Sequence, residues 1–440
     1  MATKNIVSLR VATDPTYGDV DSTTGLPNDP ATGTLYAAVV SDKSQLLIPG
    51  DPILTDVNGQ AKSGLYSLPP ETDTLLDGSG NPIKRRAGQV VVTMPVKGCG
   101  DGTAFDDYSK LPLYMLGNSA LEDVENSTVG SDVVATIGTV NSHTATDATK
   151  FTVGNNFKVV IAGRVEFARV TNIVGSVITY TPALSTALTS SQAVYPMRTL
   201  FVPSDTVPTT IASATLILNG VGWEARCSGC DVMNITYNYS KDTKRLEATY
   251  TIDCAYIDYQ TTSDKPVDPT YADGGMWKHE MAYCIFSSTG GTKESPVAAP
   301  AALARTRICL SELTLSVTIT RSASDCGETI LGRSSHEITD VKVEGTLTFG
   351  NTTVAYDDDL FDGTMRNLLI GFNSGQANTS GEGGCFMLPS AVLTNDPQKL
   401  DAGMDHYRTM IGFANGPWQG DNGATDPANN SFTWSFGDIF

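Results

Sequence analysis

GQVVVTMPVKG, residues 88–98, leads into AFDDYSKLPLYMLGN, residues 104–118, and the fold turns on how this stretch is read. Val90 to Val96 is rich in β-branched and apolar residues, the composition of a strand. Glycines and aspartates punctuate the residues that follow. Leu113, Met115 and Leu116 then form a short apolar run that stops at Gly117, a residue suited to closing a helix. The expected order is strand, acidic turn, short helix. The chain says it again, with DVKVEGTLTFG at 340–350 and AYDDDLFDGTMRNLLIGFN at 355–373. Phe105 aligns with Tyr356 and Val92 with Val343 at one common offset.

A second match follows in the same order. CDVMNITYNYSKDTKRLEATYTI, from Cys230, resembles CFMLPSAVLTNDPQKLDAGMDHYRTMIGF, from Cys385: a strand, a polar turn, then a returning strand. Its offset is smaller, which an insertion in the first half explains. A period this long indicates a duplicated domain rather than a solenoid.

The 440 residues exceed one ordinary core. Abundant Val, Thr and Ser with few long helical patterns favour a mainly β fold. The formal net charge is −19, and the longest basic run is Lys84-Arg85-Arg86. A sequence-reading DNA binder needs a basic footprint, so that class is set aside. The first residues carry no secretory pattern and no long apolar run suggests a membrane span. Eight cysteines scattered along the chain suggest buried thiols in a reducing compartment.

Along the chain, Ile6 to Val11 is an expected strand, and Leu35 to Ile48 is another strand or a hairpin. Residues 51–86 form an expected arm with tight turns at Asn58-Gly59 and Asp77 to Asn81. From Glu122 the character changes. FKVVIAGRVEFARVTNIVGSVITYTPAL, residues 157–184, is a compact meander able to enclose a small barrel. The expected organisation is a first β domain at 1–123 and 208–260, an inserted β domain at 124–207, a linker at 261–304 that carries a strand, and a second β domain at 305–440.

Chemistry is sparse. Cys227-Ser-Gly-Cys230 has redox or zinc spacing but lacks a helix N-terminus and a second ligand pair, so packed thiols are the plainer reading. His143, His279, His336 and His406 lie far apart and beside no nucleophile motif. Asp357, Asp358, Asp359 and Asp362 lack the ligand alternation and central glycine of a calcium loop, and Asp106-Asp107 is read likewise as solvated carboxylates. Gly220-Val-Gly222 imitates a dinucleotide loop with no helix after it. No catalytic, cofactor-binding or metal residue is assigned, and an enzyme is not expected.

The residues VVVTMPVKG with KLPLYMLGN, then SGCDVMNITYNYSKDTKRLEATYTI, and in the second half LSELTLSVTIT, DVKVEGTLTFG and NLLIGFN, resemble tail tube proteins of long-tailed bacteriophages. That resemblance implies two tandem tail-tube-like β-sandwich domains, each with a short flanking helix, plus an inserted small β-barrel. It implies a structural virion protein of the tail, assembled in the host cytoplasm without membrane insertion. Its partners are copies of itself in stacked rings, trimeric with pseudo-sixfold symmetry, and other tail proteins. Double-stranded DNA passes non-specifically through a negatively charged lumen during ejection. In the tube the inserted domain is expected to project outward as a spacer. The alternative is a β-rich capsid decoration or host-surface-binding virion protein.

Overall fold

In the computed structural model of the chain, the described residues are 2–5, 8–13, 36–39, 45–48, 54–55, 61–62, 75–76, 82–83, 88–96, 122–124, 131–201, 213–220, 223–240, 242, 244–260, 278–292, 307–308, 310–325, 333–350, 362–373, 383–395, 398–401, 407–415 and 432–438. They are almost entirely strand. The first half opens with β1 (Ala2–Asn5), β2 (Ser8–Thr13), β3 (Tyr36–Val39) and β4 (Gln45–Ile48). Two short ladders follow, β5 (Leu54–Thr55) with β6 (Ala61–Lys62) and β7 (Leu75–Leu76) with β8 (Pro82–Ile83). Their members flank the two turn sequences of the expected arm. The opening stretch supplies β9 (Gly88–Pro95).

Next come β10 (Glu122–Val124), β11 (Asp132–Thr139), β12 (Ser142–Ala145), β13 (Asn156–Ile161), β14 (Arg164–Val174), β15 (Val177–Thr181) and β16 (Ala193–Phe201). The pairings β11–β12–β15–β14–β13–β16 return to β11 and close a six-stranded barrel. Closure removes the sheet edges a small domain otherwise leaves open. Ala162 and Gly163, both at positive φ, make the tight turn between β13 and β14 that the right-handed twist of a hairpin favours. Phe157, Val159, Val170, Ile178, Tyr180 and Val194 fill the interior.

The chain then forms β17 (Ala214–Gly220), β18 (Trp223–Ser240) and β19 (Arg245–Gln260). The second half contains β20 (Lys278–Thr292), β21 (Arg307–Ile308), β22 (Leu310–Asp325), β23 (Arg333–Gly350), β24 (Thr364–Asn373), β25 (Gly384–Leu393), β26 (Gln398–Asp401), β27 (Tyr407–Asn415) and β28 (Thr433–Asp438). The stretch expected as a linker thus holds a long strand, β20, built into the sheet along β24.

The two halves thread their strands in one order. In the first, the hydrogen-bonded neighbours run β3–β2–β17–β18–β19–β9–β4. In the second they run β21–β20–β24–β25–β27–β23–β22. Every pairing is antiparallel, and each strand holds the same rank along its half of the chain. One sheet runs through both halves, and so does one hydrophobic cluster, which includes Leu9, Val92, Tyr237, Leu315, Phe386 and Trp434.

One sequence expectation changes. The short helix expected at 367–373 is strand β24. NLLIGFN is a short continuous apolar run, and periodicity alone does not separate a buried strand from a helical turn. The helix expected at Leu113 to Leu116 lies outside the described residues. By strand order, β24 corresponds to β17, whose ATLILNG sits beside β18 as NLLIGFN sits beside β25. The barrel therefore occupies the connection from β9 to β17. Its counterpart, from β23 to β24, is only residues 351–363.

Candidate functional site: a polar sheet face and the joint between halves

Alternation along β18 sets up the joint. Ile235, Tyr237 and Tyr239 are buried, while Asn234, Thr236, Asn238 and Ser240 point to the opposite face. β22 does the same, burying Leu313, Leu315, Val317 and Ile319 against the core and turning Glu312, Thr314, Ser316 and Thr318 outward. Period-two alternation is what a sheet with one solvated face requires.

β18 serves two partners on one edge. Residues 223–230 pair with β17, and Asn234–Ser240 pair with Glu312–Thr318 of β22. The change of partner coincides with a register shift between Val232 and Asn234 against β19. Such bulges bend a strand and re-aim its edge. This joint carries the sheet from the first half into the second.

Both faces of the joint are fastened. On the polar side, Asn234 Nδ2 donates to Ser316 Oγ at 2.8 Å and to Thr318 Oγ1 at 3.0 Å. On the apolar side, Tyr237 and Tyr239 pack on Phe386 and Phe372, with ring centroids 4.7 and 5.3 Å apart. At the hand-over, Arg321 Nη1 donates to Asp231 Oδ1 at 2.9 Å, with both side chains almost wholly buried. An ion pair taken out of water holds only when its geometry is good, and its loss leaves an uncompensated charge.

The polar face continues across the sheet. Thr93 and Thr249 share a hydroxyl contact at 3.0 Å. Thr251, Asn234, Thr318 and Lys342 stand in one cross-strand row, and Thr236, Ser316 and Glu344 stand in the next. Hydroxyl and amide groups dominate. Lys342 pairs with Glu344 and Arg245 with Glu247, each at 2.6 Å.

The inserted barrel is docked, not dangling. β16 leaves the barrel at Met197 and pairs with β28 over Phe201–Met197 and Thr433–Asp438. Asn156 Nδ2 donates to Ser435 Oγ at 3.0 Å, and Asn155 Nδ2 and the Asn156 backbone N–H both donate to Thr199 Oγ1. Asn367 Nδ2 of β24 donates to Thr181 Oγ1 of the barrel at 3.0 Å. Phe167 and Met197 of the barrel share an apolar cluster with Ile285, Leu369, Cys385 and Met387 of the second half. The barrel thus packs on β20, β24, β25 and β28 of the large sheet.

The residues singled out in the sequence do not gather. His143 is in the barrel core, buried beside Phe151, Phe157 and Tyr180. His279 and His336 lie on β20 and β23, and His406 lies outside the described residues. Asp362 is exposed; Asp357 to Asp359, Asp106 and Asp107 lie outside the described residues. Gly220 ends β17 against the Trp223 indole, as a hairpin glycine rather than a phosphate loop. Cys227 and Cys230 are buried together on β18. Among the described residues, no group of three His, Cys, Asp or Glu is arranged to hold a metal. No helix among them is long and apolar enough to cross a membrane.

No family model matches the sequence, and no curated protein matches it. Among solved structures, one chain in the six-fold symmetrised cryo-EM structure of the anti-feeding prophage (AFP) baseplate is similar to part of this one. The match has 17% identity over 30% of this chain and 86% of that chain, with a TM-score of 0.22. A likeness of that size assigns neither family nor role.

Proposed function

We propose that this chain is a structural subunit of a phage-type tail tube, built from two copies of one β unit and assembling head to tail through its sheet edges. The observation that carries this reading is the joint between β18 and β22. It sits between two halves whose strands are threaded in one order. By that order β18 is the counterpart of β25, and β22 is the counterpart of β4. The joint is therefore a contact of one unit's β18/β25 edge with the next unit's β4/β22 edge. Repeated from chain to chain, such a heterologous contact closes a ring when the rotation per unit allows it, and ring-on-ring contacts extend a filament. A ring of three chains then has six units. In the isolated chain, β24 runs beside β25 only as far as Ala391, while β1 occupies the β4 edge along Gln45–Ile48, so the contact between chains requires β1 to give up that edge.

The polar face fits a channel wall. A DNA conduit must not bind what it passes, and cationic clusters would hold phosphates through counterion release. A Thr-, Ser- and Asn-rich face whose Lys342 and Arg245 are matched by carboxylates offers little such hold. The net charge of −19 adds general repulsion.

Negative-stain microscopy of the purified chain tests the proposal. Rings or hollow tubes are expected; monodisperse particles across salt and concentration series sink it. One observation favours the second reading, a surface-binding virion protein. The exposed large apolar side chains among the described residues, Val133, Ile137, Val140, Val174 and Val177, all lie on the barrel. Discrete oligomers that bind another virion or host component, without tubes, are the outcome that reading requires.

A further inference from the structure

Three buried thiols meet where β18 is held between β17 and β19. Residues three apart on a regular strand face opposite sides. Cys227 and Cys230 nonetheless share one core. Gly229 between them takes φ of 59°, and the register against β17 shifts between the Leu216–Cys227 and Ala214–Cys230 pairs. Cys254 stands directly across from Cys230 on β19. The Cys230 thiol donates to the Cys254 sulfur at 3.1 Å, and Cys227 is hydrogen-bonded to the same two thiols. All three side chains are buried.

We propose that Cys230 and Cys254 are an oxidisable pair that closes into a cross-strand disulfide, with Cys227 as the neighbouring thiol able to exchange into it. Directly opposed residues on antiparallel strands have Cβ atoms about 4.5–5.5 Å apart. A disulfide spans about 3.5–4.5 Å between Cβ atoms. Closing the bond therefore draws the strands together slightly and leaves the register intact. The oxidant is a small-molecule disulfide. One cysteine gives up its proton and its thiolate attacks an oxidant sulfur, releasing one small thiol that carries that proton away. The second cysteine, deprotonated in turn, attacks the protein sulfur of the mixed disulfide and releases the second small thiol. Two electrons pass from the cysteine pair to the oxidant's S–S bond, and atoms balance.

Burial pushes both thiols well above their ordinary range and so withholds the thiolate that reacts. Oxidation in the closed fold is slow, and the reaction proceeds when β18 and β19 open locally or before they close during folding. The bond locks β18 just ahead of the bulge at Val232, where the strand passes to β22.

The test treats the full chain with oxidised glutathione in two ways: folded, in urea below the unfolding midpoint, and during refolding from denaturant. Remaining thiols are alkylated and the peptides mapped. The expected result is a Cys230–Cys254 cross-link that forms faster as urea rises, with a higher urea midpoint for the oxidised protein. Cys227→Ser retains the cross-link and Cys254→Ser loses it. The wild-type map decides the matter even where a variant fails to fold. Full alkylation of all three thiols after refolding in oxidant, or a dominant Cys227–Cys230 link, overturns the proposal.

Discussion

His143 sits among the rings of Phe151, Phe157 and Tyr180, at centroid distances of 5.8, 6.2 and 5.7 Å. Neither ring nitrogen has a hydrogen-bond partner in the protein. Burial pulls its pKa down to about 4, against the opposing pull of the Asp132 carboxylate. In the unfolded chain the imidazole takes its proton near the ordinary 6.5. The unfolded state thus binds more protons between these values, and stability falls as pH drops from about 6.5 to about 4. The effect is on the order of 3 kcal/mol. His143→Phe should flatten this dependence, read as amide exchange across β13 to β15 at pH 7 and pH 4.5. An unchanged slope would show that another group carries it. At the joint, Arg321→Ala leaves the Asp231 carboxylate buried without its guanidinium and should cost about 3–5 kcal/mol in urea unfolding. Pairing Arg321→Met with Asp231→Leu should recover most of that loss, because neither partner of the pair then leaves a charge buried at the joint.

β23 lies between β22 and β27, and Gly345 marks where all three crowd together. A Cβ at that position would lie 2.2 Å from the Thr314 carbonyl oxygen and 2.7 Å from Phe413 Cζ. Gly345→Ala should therefore lower stability by about 1–3 kcal/mol, the usual cost of overpacking, with faster exchange along both neighbouring strands. The contact between β16 and β28 makes a separate prediction. Asn156→Ala removes the donor to Ser435 Oγ in a buried site, costing about 1–3 kcal/mol. Exchange should rise at Met197–Phe201 and Thr433–Asp438 while the barrel's own ladders hold. Uniform loosening of the barrel would mean that Asn156 supports the domain itself and not its docking. The barrel meander was legible because its glycines punctuate β-branched runs. β12 was not, because Ser-His-Thr-Ala is too short and polar to announce a strand. β24 was misread because an apolar run of that length is silent about its own helical or extended state.

Across the whole molecule, the halves depend on each other through β18 and β22. Expressed apart, 1–260 and 261–440 each present an unpaired strand edge, which invites aggregation. Co-expression should rescue solubility and yield a one-to-one complex; two independently soluble, non-associating halves would contradict the joint's importance. The sequence by itself determined the mainly β composition, most strand positions and the presence of a small β-barrel between the strands that flank it. These follow from local periodicity, turn residues and composition. Only the tertiary structure decided that NLLIGFN is a strand, that β20 belongs to the sheet, that three thiols meet, and that the barrel rests on β24, β25 and β28. Those facts rest on pairings between residues far apart in the chain, such as Asn156 with Ser435 and Tyr237 with Leu315. Register across such distances is selected by what each face buries once the strands have met, and no local pattern encodes which strands will meet.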